Sequence, residues 1–311
     1  MYRWDLDRTY LDTDIHSVRS MIRAAFETAS DKRNIPGSGA LLRGLLRTDP
    51  TARVGIVSGS PTQLRSVLEK KLALDGVRFD HLVLKDHVGN LRRGRLRAVY
   101  SQLGYKLPAL LDQRKGLGPA VRETCFGDDT EVDAVVYALY AEALAGRASN
   151  DTVARVLAAG GAYDDGIELA LQALRKVARG DCVDDIFIHV DKGVPLRDFH
   201  RLGSRVIPVF SWFQAAMILR IRDRLDPEGL CDVVEVMREG DSFTDHHFAG
   251  WTQDLVRRHL IDDDTARQVV RELPESTSLA AERALDRIGP LGPAPVAVRT
   301  PDFLGFLDAI R

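Results

Sequence analysis

The strongest constraint on this chain is an alternation that runs through its first two-thirds. A short apolar run is followed by a polar loop, and the loop by a segment of helical periodicity. Strands of a parallel sheet joined by crossover helices have this pattern, so the expected fold class is α/β, a doubly wound parallel sheet. The strand runs are Tyr2 to Leu6, Arg53 to Val57, Phe79 to Leu84, Glu123 to Phe126, Ile186 to Val190 and Arg205 to Phe210. Helical stripes fall between them. Ile15, Val18, Ile22, Ala25 and Phe26 share a face behind a cap at Asp14, and Ala40 to Leu46 forms another helix after a Pro-Gly turn. Leu64, Val67, Leu68 and Leu72 mark a third, and Leu107 to Gln113 a fourth with Pro108 in its first turn. Val132, Val135, Val136, Leu139, Tyr140 and Ala143 mark a fifth, and residues 151–178 are helical in pattern. Beyond Phe213 the pattern is helical to about Ile288. A Pro- and Gly-rich connector follows, and Pro301 to Arg311 is expected to form a short docking helix. The domain expectation is a core over 1–212, a helical extension over 213–288, and a connector with tail over 289–311.

Composition narrows the function classes. With 311 residues, 45% of them hydrophobic, and a formal net charge of -2, the chain has ample apolar content for a core and is not dominated by disorder. Lys and Arg (43) balance Asp and Glu (45), so no global charge points to nucleic acid or an anionic membrane. Three cysteines, Cys125, Cys182 and Cys231, are too scattered for a disulfide framework or a cysteine zinc site. No stretch approaches the roughly 20 apolar residues of a membrane span. The start, Met1-Tyr2-Arg3-Trp4-Asp5, has no apolar signal core, so a cytoplasmic location is expected.

In a parallel sheet the carboxyl ends of the strands share one edge, where ligands bind. Polar residues that directly follow their strands can therefore converge there. Asp5-Leu6-Asp7-Arg8-Thr9 follows the first run, and two carboxylates on one face of an extended segment call for a cation between them or a shared proton. Taken alone, this fits an Asp-rich capping turn equally well. Ser58-Gly59-Ser60-Pro61 follows the second run and suits an anion site, or an ordinary turn in which Ser60 caps and Pro61 opens the helix. Gly127-Asp128-Asp129-Thr130-Glu131-Val132-Asp133 carries more acid than a cap requires, which suggests a cation site. Lys106, just ahead of a helix, could serve phosphate or a carboxylate with a compact charge.

In this order the four segments resemble the haloacid dehalogenase-like superfamily of aspartate-nucleophile phosphatases, over about the first two-thirds of the chain. Within it they look most like the branch related to the phosphatidate phosphatase catalytic domain, with Leu84-Lys85-Asp86 and the Trp-Asp-Leu-Asp start in support. The resemblance implies a Rossmann-like core and a Mg²⁺-dependent hydrolase. Asp5 would be the nucleophile that becomes aspartyl-phosphate, and Asp7 the general acid and base. Thr9, Ser58, Gly59 and Lys106 would bind the phosphate. The metal set would be drawn from Asp5, Asp7 (by its backbone carbonyl), Asp128, Asp129 and Asp133. That branch carries an acidic residue where this chain has Arg8, and no lipid-binding module is legible.

Neither interval between these segments holds an obvious large cap domain. The expected partner is thus a phosphorylated substrate, with room for a bulky one such as a lipid, a protein or a nucleic acid end. The alternative is a phosphate-binding regulatory or protein-interaction module with little turnover, suggested by the long helical tail. Other signals have bland readings. Arg92 to Arg97 is an arginine-rich solvated loop or an anion-attracting patch. Asp245-His246-His247 reads as a polar helix surface rather than a metal site. Trp212-Phe213 and Ala215 to Leu219 read as a buried helix, and Asp262-Asp263-Asp264 as a cap.

Overall fold

The structure is a computed structural model that describes residues 1–12, 32–86, 102–130, 132–241, 243–294, 298 and 300–310. The stripe from Ile15 to Phe26 and the cluster Arg92 to Arg97 lie outside the described residues.

The chain divides into two compact units. One comprises 1–33, 53–208 and 297–311; the other comprises 34–52 and 209–296. This differs from the linear division that the periodicity suggests. Residues 34–52 leave the core for the helical unit, and 297–311 return to the sheet-bearing one.

Among the described residues the sheet has six parallel strands: β1 (Tyr2–Trp4), β2 (Val54–Pro61), β3 (His81–Lys85), β4 (Glu123–Asp128), β5 (Val183–His189) and β6 (Val206–Val209). Their order is β3-β2-β1-β4-β5-β6. The chain lays β2 and β3 on one side of β1, and β4 to β6 on the other. The crevice beyond the carboxyl ends of β1 and β4 is therefore the topological switch point, where open α/β sheets take their ligands. Register carries the placement: Trp4 stands opposite Ile56 and Phe126, so the residues that follow each strand emerge together.

Alternation along the strands separates two faces. On one, Trp4 stacks on Phe126 with ring centroids 4.1 Å apart, and Phe126 stacks on Phe187 at 5.5 Å. On the other, Arg3 is buried in an ionic network. Its Nε donates to Glu123 at 2.7 Å and its guanidinium to Gln113, while Arg114 and the Tyr140 hydroxyl also reach Glu123. That face carries a continuous apolar cluster with the helices Leu103–Arg114 and Asp133–Leu144.

Two local expectations are corrected. β2 does not stop at Ser58. It runs on to Pro61 through an irregularity in register between Ser58 and Pro61, and a 3₁₀ turn, Thr62–Leu64, precedes the helix Arg65–Leu74. Lys106 does not precede its helix. The helix begins at Leu103, because Leu103, Leu107, Leu110 and Leu111 form one buried stripe, and Pro108 is tolerated in its interior.

In the other unit, helix Ser38–Thr48 packs against Pro227–Asp241. Gly37 opens it at φ 81, in the left-handed region that favours glycine. Gly44 permits close approach, since a Cβ there would meet Leu225 at 2.8 Å and the Gly229 backbone at 3.2 Å. Trp212–Ile221 is a buried helix, in line with its sequence. The Asp245-His246-His247 segment opens a helix: His247 Nδ1 accepts from Thr244 N–H at 3.1 Å, and Asp245 accepts from the Thr277 hydroxyl. Asp262 caps by accepting from Thr265 N–H at 2.8 Å. Among the described residues, no helix is long and apolar enough to cross a membrane.

Candidate active site

β1 ends at Trp4, and the Asp5 backbone N–H still donates to Phe126 at 3.0 Å, so Asp5 leaves the sheet held against β4. Its side chain falls on the Arg3 face, toward the helices Leu103–Arg114 and Asp133–Leu144. Lys106 Nζ, from the first of these, donates to Asp5 Oδ1 at 2.8 Å and to Asp133 Oδ1 at 2.5 Å. Asp128 completes the group from the end of β4. Asp5, Asp128 and Asp133 each bring a carboxylate oxygen within 4.8 Å of the others, and all three are buried. Three buried carboxylates that each bring an oxygen to one place form a set of hard donors of the kind a divalent cation takes. The donor set therefore fits a Mg²⁺-type ion.

Asp128 is oriented by hydroxyls. Thr9 Oγ1 donates to its Oδ2 at 3.2 Å, and the Thr130 N–H and hydroxyl donate to its Oδ1. Asp7 faces the other way, into β2. Its Oδ2 accepts from Ser58 Oγ at 3.0 Å and from Ser60 Oγ at 2.7 Å, while Ser58 Oγ accepts from the Ser60 N–H at 2.9 Å. The β2 irregularity makes this possible, by keeping both serines at the strand end. The Gln102 side-chain amide packs over Gly59, where a Cβ would meet its nitrogen and the long side chain would have to shift. Asp5, Ser58 and Asp128 have 0% exposure; Asp7, at 7%, is the most accessible carboxylate of the group. These side chains thus lie deep in the described fold.

The structure brings together Asp5, Asp7, Thr9, Ser58, Gly59, Lys106, Asp128 and Asp133. It does not bring Asp129 into the acidic triad. The Asp129 carboxylate turns to the loop after β5 and accepts backbone N–H groups there, so of the two alternatives, Asp129 or Asp133, it is Asp133 that stands beside Asp5 and Asp128. Sequence reasoning missed Ser60 as a partner of Asp7, since it looked like a helix cap, and assigned no role to Thr130, which donates to Asp128. It also missed His189 at the end of β5. Burial pushes the His189 imidazole below its usual range, against the opposing pull of Asp191 and Asp129. Nearby, Tyr105 is pushed well above the phenol range by burial.

No family model matches the chain, and no curated protein or solved structure matches it.

Proposed function

We propose that the chain is a Mg²⁺-dependent phosphomonoester hydrolase working through a covalent aspartyl-phosphate on Asp5. The observation that carries the reading is the meeting of Asp5, Asp7, Ser58, Lys106 and Asp128, from separate loops and one helix, at the switch point of the sheet. Phosphoryl transfer asks chiefly for positioning and for charge stabilisation around an in-line displacement, and a buried array of this kind suits both.

In this reading Asp5 attacks phosphorus. As the Asp5 O–P bond forms, the bond to the leaving oxygen breaks, and Asp7 delivers a proton to that oxygen. Asp7 then takes a proton from water, which attacks the phosphorus, releases phosphate and restores the Asp5 carboxylate. Ser58 and Ser60 hold the Asp7 carboxylate, Lys106 neutralises charge beside Asp5, and Thr9 fixes Asp128. Asp5 and Asp128, with the Asp7 carbonyl that the resemblance implies and Asp133 behind them, would hold the cation. When bound it supplies neutralisation of charge between carboxylate and phosphate.

The test is phosphate release from 4-nitrophenyl phosphate with Mg²⁺. The expected result is turnover that needs the cation and is abolished in Asp5→Asn. No turnover by the native chain, or equal turnover by the variant, sinks the reading. Complete burial of Asp5 and Asp128 also suits a second reading, a phosphate-binding regulatory module with little turnover. Mg²⁺-dependent capture of beryllium fluoride, lost in Asp5→Ala, favours the enzyme over the module.

A further inference from the structure

Asp129 is nearly buried, and its carboxylate is saturated by main chain. Oδ1 accepts the N–H groups of Asp191 and Lys192, both at 2.8 Å; Oδ2 accepts those of Gly193 at 2.9 Å and Val194 at 3.0 Å. Four converging donors on one carboxylate form a strong, rigid clamp on the loop that follows β5. That end of β5 touches the Asp5–Thr9 segment twice. The His189 imidazole is hydrogen-bonded to the Arg8 backbone, and the Arg8 guanidinium reaches the Asp191 carboxylate at 3.0 Å. Arg8 stands between Asp7 and Thr9 with φ 60, a left-handed conformation that a non-glycine residue keeps only when its surroundings enforce it. The turn is closed by Arg8 N–H to Leu11 O at 2.8 Å and Tyr10 N–H to Leu6 O at 2.9 Å.

We propose that Asp129 is a positioning residue for Asp7: by clamping the loop Asp191–Val194 it holds His189 and Asp191 against Arg8, and so fixes the turn that aims Asp7 at the leaving-group oxygen. The proposal rests on the reading of Asp7 as general acid. Asp7 lies one peptide bond from Arg8, and Ser58 and Ser60 hold its carboxylate from the opposite side. The aim of the carboxylate is therefore a balance between β2 and the β5 loop. A misplacement of about 1 Å at a proton donor is enough to cost orders of magnitude in rate.

A merely structural clamp and a positioning clamp separate by leaving group. An alkyl phosphate needs protonation of its leaving oxygen; 4-nitrophenyl phosphate, with a good leaving group, does not. The experiment measures kcat/KM, which covers the steps through transfer to Asp5, for glycerol 2-phosphate and 4-nitrophenyl phosphate with Mg²⁺. Wild type is compared with Asp129→Asn, Asp191→Ala and Arg8→Ala, and amide hydrogen exchange is followed at residues 191–194. Asp129→Asn keeps one accepting oxygen but sets an amide NH₂ against two N–H donors. The expected outcome is roughly a ten-fold fall for glycerol 2-phosphate with less than a two-fold change for 4-nitrophenyl phosphate, together with faster exchange at residues 191–194. Asp191→Ala and Arg8→Ala, half-exposed changes that spare the core, shift the same ratio in the same direction by a smaller factor. Equal losses on both substrates in all three variants, or an unchanged ratio despite faster exchange, overturn the proposal while leaving the hydrolase reading intact. A wild type that hydrolyses neither substrate overturns both.

Discussion

Lys106 Nζ stands between two buried carboxylates, 2.8 Å from Asp5 and 2.5 Å from Asp133, and is itself 1% exposed. Removing one partner of a buried ionic group leaves uncompensated charge, at a cost of roughly 3–5 kcal/mol. Lys106→Met is therefore expected to lower stability in urea by that order without added metal. Millimolar Mg²⁺ should restore part of the loss, by supplying the missing positive charge. Equal stability of variant and native chain in metal-free buffer would contradict the pairing of Lys106 with Asp5 and Asp133. His189 offers a pH test at the same scale. Burial lowers its folded pKa, so between its folded value and the unfolded value near 6.5 the unfolded chain binds more protons. Stability from this residue is present above about pH 6.5 and is lost as pH falls below it. Thermal melting should thus drop from pH 7.5 to 5.5, with a flatter profile in His189→Gln. Arg8 belongs here too, since its φ of 60 costs an ordinary residue roughly 1 kcal/mol and is offset by the loop that holds it.

The strand ends and the helices behind them divide the work. β1 contributes only three residues to the sheet, yet it lies at the switch point and delivers Asp5 and Asp7. β4 delivers Asp128, and the helix after it, Asp133–Leu144, returns Asp133 to the same place. Gly127 lets these two approach. A Cβ there would meet the Asp133 side chain at 2.6 Å and the Tyr137 ring at 2.9 Å. Gly127→Ala is expected to displace Asp133, loosen its hold on Lys106, and lower the turnover proposed for Asp5 by at least about ten-fold while the chain stays folded. Steady-state kinetics beside a circular dichroism melt checks this; full activity would show that the helix gives way without moving the carboxylate. The strands themselves, and the expectation that polar residues after them share one edge, were legible from the apolar runs; their order across the sheet was not. The exact end of β2 was not. Ser58-Gly59-Ser60-Pro61 has the composition of a turn and cap, and only pairing with β3 draws it into the strand, where both serines serve Asp7. The start of the Lys106 helix was obscured in the same way by Pro108, which the first-turn rule placed too early.

At the scale of the whole molecule, the helix Ser38–Thr48 belongs with segments nearly two hundred residues away. Leu41, Leu42 and Leu45 are fully buried, the helix packs on Pro227–Asp241, and Arg47 pairs with Asp226 and Asp232. A chain cut after Trp212, at the boundary the periodicity suggests, leaves that leucine face without its covering helix. Each exposed leucine forfeits about 1.5–3 kcal/mol. Such a fragment is expected to bind a hydrophobic dye and to elute as aggregate in size-exclusion chromatography. A monomeric, cooperatively melting fragment would refute the assignment of residues 34–52 to the helical unit.

By itself the sequence determined the α/β class and the parallel sheet, and it offered candidates such as Asp5, Asp7 and Asp128, because periodicity and loop composition are local signals. Tertiary structure decided their partners. The neighbouring acids Asp128 and Asp129 look alike in a run of carboxylates; one faces the cluster with Asp5, and the other clamps the β5 loop. A carboxylate's role depends on which donors surround it, and those donors come from strands and loops far away along the chain.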